Sequence, residues 1–219
     1  SGIFSMSRVP QWLVPTKAEF TFNTSRLWGK GVLPLETYQL DYRKLQDVYP
    51  DLKKVDWVRF ADIPAYRIIE GENERYIDAS GTEVVALNVP QKTIEEGFRK
   101  IHGNDSKMTV TVLEKYDNYY LNLRRTLELP VYKVEFDDDD HNLYYVNPRD
   151  GYIRYLNKNK IVDKWLFSAI HYLNMGWLVN RPWLWTFCLW FLCIGCGIVC
   201  FTGVVLGVKT WLIRKKKKS

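Results

Sequence analysis

Cysteine is missing from the first 187 residues, and no aspartate or glutamate occurs after residue 181. The first absence excludes a disulfide framework for most of the chain. The second sorts the charge. Six of the 31 basic residues lie beyond position 181, leaving 25 basic against 25 acidic residues before it, so the formal net charge of +6 belongs entirely to the C-terminal segment. A nucleic-acid surface would need lysine and arginine clustered on the folded part, so nucleic acid is not an expected partner. No H-E-x-x-H motif occurs, Ser80 and Ser168 lack a nucleophile-elbow context, and the glycines form no phosphate loop. No catalytic constellation stands out in this chain. It opens without an initiator methionine and without the basic, apolar and small-residue regions of a signal peptide. The expectation is the C-terminal part of a longer protein, with a tag scar at Ser1 and Gly2 as the competing explanation.

A long apolar run is present. Residues 182–213 contain one charge, Lys209, and are followed at once by Arg214 and Lys215 to Lys218. At about 1.5 Å per residue, the uncharged stretch from Trp183 to Val208 outreaches a hydrocarbon slab of roughly 30 Å. Trp183, Trp185 and Trp190 stand at one end and Trp211 at the other, where amphipathic rings favour the headgroup level. Basic residues flanking a span mark its cytoplasmic side. The expected topology is an ectodomain outside the cytoplasm, a transmembrane helix over 182–213 and a basic cytoplasmic tail over 214–219. The tail would attract anionic lipid, although a plain topology signal is the simpler role.

All four cysteines, Cys188, Cys193, Cys196 and Cys200, fall in this run. Three of them share a helix face, yet an apolar span lacks the flanks of a redox motif, so packing is the expected role. Gly203 and Gly207, four apart, would let a second helix approach closely.

The ectodomain repeats itself. Pro64, Tyr66, Arg67 and Ile68 return as Pro130, Tyr132, Lys133 and Val134, and the Arg75 to Thr82 pattern returns over Leu143 to Gly151. Each copy comes after a helical pattern, Leu35 to Tyr49 before the first and Gln91 to His102 before the second. In the latter, Ile94, Phe98 and Ile101 share a face. Three strands are expected after each: Val55–Ile63, Ala65–Glu70 and Glu74–Asp78, then Met108–Glu114, Leu127–Phe136 and Asn142–Asn147. Residues 70–73 and 137–141 read as hairpin turns. Two α+β units near 60 residues each are marginal alone, so they are expected to pack together. Tyr66 and Tyr132, at the repeated strand position, are the preferred core residues.

These repeats, with their proline, tyrosine and basic-residue strand and their tyrosine-to-glycine ending, resemble PepSY domains. Tyr116, Asp117, Asn118, Tyr119 and Tyr120, then Tyr144 to Pro148, Gly151, the run from Trp165 through His171 to Gly176, and Arg181 to Trp185 stand in an order similar to the C-terminal part of PepSY-associated transmembrane proteins of bacterial inner membranes. The resemblance covers essentially the whole chain. It implies an extended segment over 1–34 after a missing transmembrane helix, PepSY-like units over 35–90 and 91–158, an amphipathic interfacial helix over 159–176, and the last anchor. It also implies a periplasmic ectodomain. Some members of that family are haem-containing reductases of ferric siderophores; related soluble domains restrain proteases.

Under that resemblance, His171 is the candidate axial ligand to a b-type haem, with its second ligand on a missing helix. The alternative is an interfacial histidine bonded to a carbonyl or headgroup. His102, just before Gly103, is expected to complement the helix dipole as a protonated cap. Asp137 to Asp140 with His141 offers carboxylates for a hard cation, but consecutive acids diverge and lack calcium-loop spacing, so a solvated turn is expected. Tyr116, Tyr119, Tyr120, Tyr132, Tyr144 and Tyr145 would either line a peptide or siderophore groove or form core pairs. The expected partners are the lipid bilayer, other transmembrane helices of the same protein, and a ferric siderophore or a protein. Two functions stay open: part of a haem-containing membrane reductase in iron uptake or envelope redox, and a non-catalytic module that regulates an envelope protease or assists assembly.

Overall fold

The computed structural model describes residues 9, 12–17, 21–121, 127–169, 173 and 175–218. The chain divides into two compact units, Ser1–Phe167 and Ser168–Ser219. The first is mixed α+β with two antiparallel four-stranded sheets, and the second carries a long apolar helix.

Sheet A runs in chain order: β1 (Leu52–Phe60), β2 (Ile63–Glu70), β3 (Asn73–Asp78) and β4 (Val85–Ala86). Sheet B repeats that order with β5 (Met108–Leu113), β6 (Val131–Phe136), β7 (Leu143–Val146) and β8 (Ile153–Leu156). The 70–73 turn forms as expected, with Glu70 opposite Asn73 and Gly71 at φ +60°. Each sheet has a fourth strand beyond the three expected. The first hairpin also turns earlier, at Ala61 and Asp62, so that Phe60 faces Ile63. Ala61 takes φ +57° and donates its N–H to the Trp28 carbonyl, a tertiary bond that no strand pattern announces. β6 begins at Val131 rather than Leu127 because the carbonyls of Leu127 and Glu128 accept the Tyr116 and Tyr120 hydroxyls at 2.7 and 3.0 Å.

Two helical expectations change. The 1–34 segment contains a short helix, α1 (Ser25–Trp28), started by the Asn23 carboxamide accepting the Ser25 N–H; Leu27 and Trp28 are buried. The Leu35 to Tyr49 pattern is not one helix. It divides into a 3-10 turn, Leu35–Thr37, and α2 (Lys44–Val48). Between them the Gln39 and Leu40 N–H groups bond to the Ala79 carbonyl, and Asp41 restarts the helix by accepting the Arg43 N–H. By contrast, α3 spans Gln91–His102 as expected, with Ile94 and Phe98 buried.

The repeats share a core. Phe60 and Ala65 of sheet A, Leu27 and Trp28 of α1, Ile94 and Phe98 of α3, and Val134, Phe136 and Tyr144 of sheet B form one cluster. Because successive strand residues face opposite ways, Tyr66 and Ile68 leave that cluster for a second one under Leu40 and Leu45, where the Tyr66 hydroxyl donates to the Leu40 carbonyl at 2.8 Å. Tyr145 and Val131 likewise join a third with Tyr120. Tyr66 is fully core; Tyr132 is partly buried at the edge of the shared cluster.

The amphipathic stretch expected over 159–176 is helical from Lys158 to Asp163 (α4) and continues with π geometry over Lys164–Ala169. Asn157 caps it by accepting the Lys160 N–H. In the second unit α5 (Gly176–Val179) comes after Met175, whose backbone is extended, and α6 runs Pro182–Lys218. Its Pro182–Thr210 stretch is long and apolar enough to cross a membrane and is not buried. The Thr202 and Thr210 hydroxyls donate to the carbonyls of Val199 and Leu206, so both are satisfied within the helix, as an apolar surrounding demands. Cys193, Cys196 and Cys200 are free and outward-facing, and Gly203 and Gly207 leave open space where side chains would stand.

Candidate functional site

α3 ends where Gly103, at φ +91°, returns its N–H to the Arg99 carbonyl, and the Ser106 hydroxyl donates to the His102 carbonyl at 2.6 Å. Backbone and serine therefore cap this helix, and the His102 ring turns inward. It stacks on Phe136 at 4.1 Å between centroids, with Nε2 3.0 Å from the Tyr144 hydroxyl. Burial holds the imidazole pKa below its ordinary value, assisted by the Arg26 charge and opposed by Asp138. The expected protonated cap is thus corrected to a half-buried neutral ring, because desolvation disfavours the cation.

That shift has a sign. With its folded pKa lowered, His102 contributes stability that is present above the unfolded value of about 6.5 and is lost as pH falls from there toward the folded value. The urea midpoint should drop between neutral and mildly acidic pH, and His102→Gln should flatten that drop. An unchanged slope in the variant would contradict a buried neutral His102.

The ring forms one wall of a cleft of about 340 Å³. Tyr144 and Tyr155, from β7 and β8, stack at 4.9 Å, and Phe22 meets Tyr144 edge-on at 5.0 Å. The Tyr155 hydroxyl donates to Asn142 Oδ1 at 2.7 Å. Burial raises the Tyr144 pKa, so its hydroxyl remains protonated at neutral pH. Lys17, Thr21 and Arg26 complete the lining from the N-terminal segment. The site is made by chain parts more than a hundred residues apart.

The acidic turn has separate attachments for its four carboxylates. Asp137 faces Lys107 at 3.9 Å, Asp138 accepts the Asn142 N–H at 3.0 Å, Asp139 faces Lys17 at 3.5 Å, and Asp140 faces Lys158 at 3.4 Å. Asp140 is buried and also accepts the Lys17 N–H, so the turn is anchored through Asp138 and Asp140, while Asp137 and Asp139 stay solvated as expected. No group of three metal-ligating side chains occurs among the described residues. His141 takes φ +49° in the turn.

The tyrosines divide by strand parity. Tyr145 enters the third cluster, stacks on Tyr120 at 5.1 Å and donates to Asp117 at 2.6 Å, whereas Tyr144 serves both shared core and cleft. Tyr119 takes another role: Lys164 Nζ lies 4.8 Å over its ring and 5.3 Å from that of Trp165. The Lys164 side chain is buried, and desolvation lowers its pKa to about 8.

His171 lies outside the described residues. Of the other two histidines, His102 bonds Tyr144 and His141 occupies a turn, and the apolar helix carries none. The described residues therefore do not supply an axial pair for haem within the span. Sequence reasoning missed Lys17, Phe22 and Arg26. The available signal was Asn23, whose side chain closes a turn onto the Ser25 N–H just ahead of the apolar pair Leu27 and Trp28.

No protein-family model matches the chain, and no curated protein or solved structure matches it.

Proposed function

We propose that this chain is the extracytoplasmic part and anchor of a bacterial inner-membrane protein of the PepSY-associated kind, acting as a binding module. One observation carries the binding role: an open, aromatic-walled cleft whose polar groups converge from three chain segments. The long apolar helix with its basic end supports the anchoring and the topology. The module would present this cleft to a ligand or a chain end of an envelope partner, regulating or assembling that partner without covalent chemistry.

A photoreactive side chain at Thr21, on the cleft mouth, should give a discrete adduct in cells, and one at Glu72, in the distal hairpin of sheet A, should not. Equal labelling from both positions would sink the binding role. The topology is read in the same cells: Ser80→Cys should react with a membrane-impermeant maleimide from outside the cytoplasm. The reductase reading rests on the ordered motifs from Tyr116 to Trp185. It requires haem absorbance in the full-length protein that changes when His171 is replaced.

A further inference from the structure

Among the described residues, the hydrogen-bonding capacity that the cleft leaves unspent is mostly that of donors. Asp140, the one carboxylate among the described lining residues, already accepts from the Lys17 backbone and faces Lys158. Asn142 uses its carbonyl for Tyr155 and one amide hydrogen for Asp138. His102 Nε2 is engaged with the Tyr144 hydroxyl. What remains is the Arg26 guanidinium, for which no ion pair occurs among the described residues, together with the Thr21 hydroxyl and the second Asn142 amide hydrogen. Arg26 is exposed and close enough to depress the pKa of both His102 and Tyr144. Phe22, Tyr144 and Tyr155 supply the aromatic part of the lining, with Tyr144 stacked on Tyr155 and edge-on to Phe22.

A guanidinium fork matches two carboxylate oxygens, and aromatic walls reward an apolar body. Resting on the binding role proposed above, we infer that the cleft takes a monocarboxylate with an aromatic or aliphatic body, held by Arg26 at the mouth and seated against Tyr144 and Tyr155. Among the described lining residues, a cationic ligand would meet Arg26 and Lys17, and the carboxylate of Asp140 is already engaged. The same chemistry is carried by a small free acid and by the C-terminus of a peptide, and the two differ in the body attached to the carboxylate.

Calorimetry on the full chain in detergent micelles tests this with three probes: 3-phenylpropionate, 3-phenylpropanamide, and a short peptide ending in phenylalanine with a free C-terminus. The acid should bind at least about tenfold more tightly than its amide, the step expected for losing a charge-assisted fork. Arg26→Gln should abolish that preference and Arg26→Lys should keep part of it. Lys30→Gln, which removes an exposed cation outside the cleft, should change nothing. Tighter binding of the peptide than of the free acid identifies a chain terminus as the source; the reverse identifies a small acid. Acid and amide binding equally, with both lost when Ile101→Trp fills the cleft, would overturn the carboxylate assignment and leave the binding module standing. Absence of binding by every probe at roughly 5 mM would overturn the inference alone, since the Thr21 adduct tests the cleft's use independently.

Discussion

Gly151→Ala should lower the stability of the first unit by about 2–4 kcal/mol, combining the strain of a side chain at positive φ with overpacking of a closed site. Gly151 has φ +67°, and a Cβ there would run into the Phe60 ring and come within 3.2 Å of Trp28 Nε1. Neither neighbour has room to withdraw. Phe60 packs edge-on against Trp28 at 5.4 Å, and Trp28 Nε1 donates to the Gly151 carbonyl at 2.8 Å. This glycine is where the turn after β7 meets α1 and sheet A, so the cost falls on the joint between the two repeats. Urea unfolding monitored by tryptophan fluorescence would measure it. Gly81→Ala is the matched comparison, because nothing lies within 4 Å of its Cβ position. Similar losses for both variants would show that the close approach at Gly151 is not a stability determinant.

Phe98→Ala should cost about 3–5 kcal/mol, the range for deleting a buried aromatic ring. Its side chain is fully buried, with Tyr144 at 4.6 Å and Phe136 at 6.0 Å between ring centroids. Both neighbours also support the cleft wall, through Tyr144 itself and through the Phe136 ring on which His102 stacks. The variant should therefore lose the Arg26-dependent binding as well as stability. Phe201→Ala gives the contrast: that ring is 70% exposed on the apolar helix, and its removal should leave the unfolding of the first unit within about 0.5 kcal/mol of the parent. A small loss at Phe98 would mean that the repeats hold together without the shared cluster.

The legible parts of the fold were those with local causes. α3 was readable because a 3.6-residue apolar spacing coincides with a closing glycine, and the β2–β3 hairpin because Gly71 and its polar neighbours allow a two-residue turn. The internal repeat correctly aligned β2 with β6 and β3 with β7. The apparent helix over 35–49 failed because the Ala79 carbonyl takes the N–H groups of Gln39 and Leu40, a bond between residues forty positions apart. β4 and β8 were missed because the first has two residues and the second comes after a turn that already looked terminal.

The candidate site was less legible than the fold. His102 looks like a helix cap in the sequence, and its neutral, inward role depends on Phe136 and Tyr144 from sheet B. Arg26 and Phe22 carried no motif. They matter because α1 brings the N-terminal segment onto the second repeat, where Gly97 lets it approach: a Cβ at Gly97 would come within 2.5 Å of Leu27.

The sequence by itself determined an α+β chain with an internal repeat and one apolar span flanked by cations, because periodicity and charge distribution are local properties of the chain. Only the tertiary structure decided that the repeats share a core, that the acidic turn is anchored through Asp138 and Asp140, and that a cleft opens beside His102. Those outcomes depend on which distant groups meet and how far they are desolvated, quantities that neither residue order nor spacing contains.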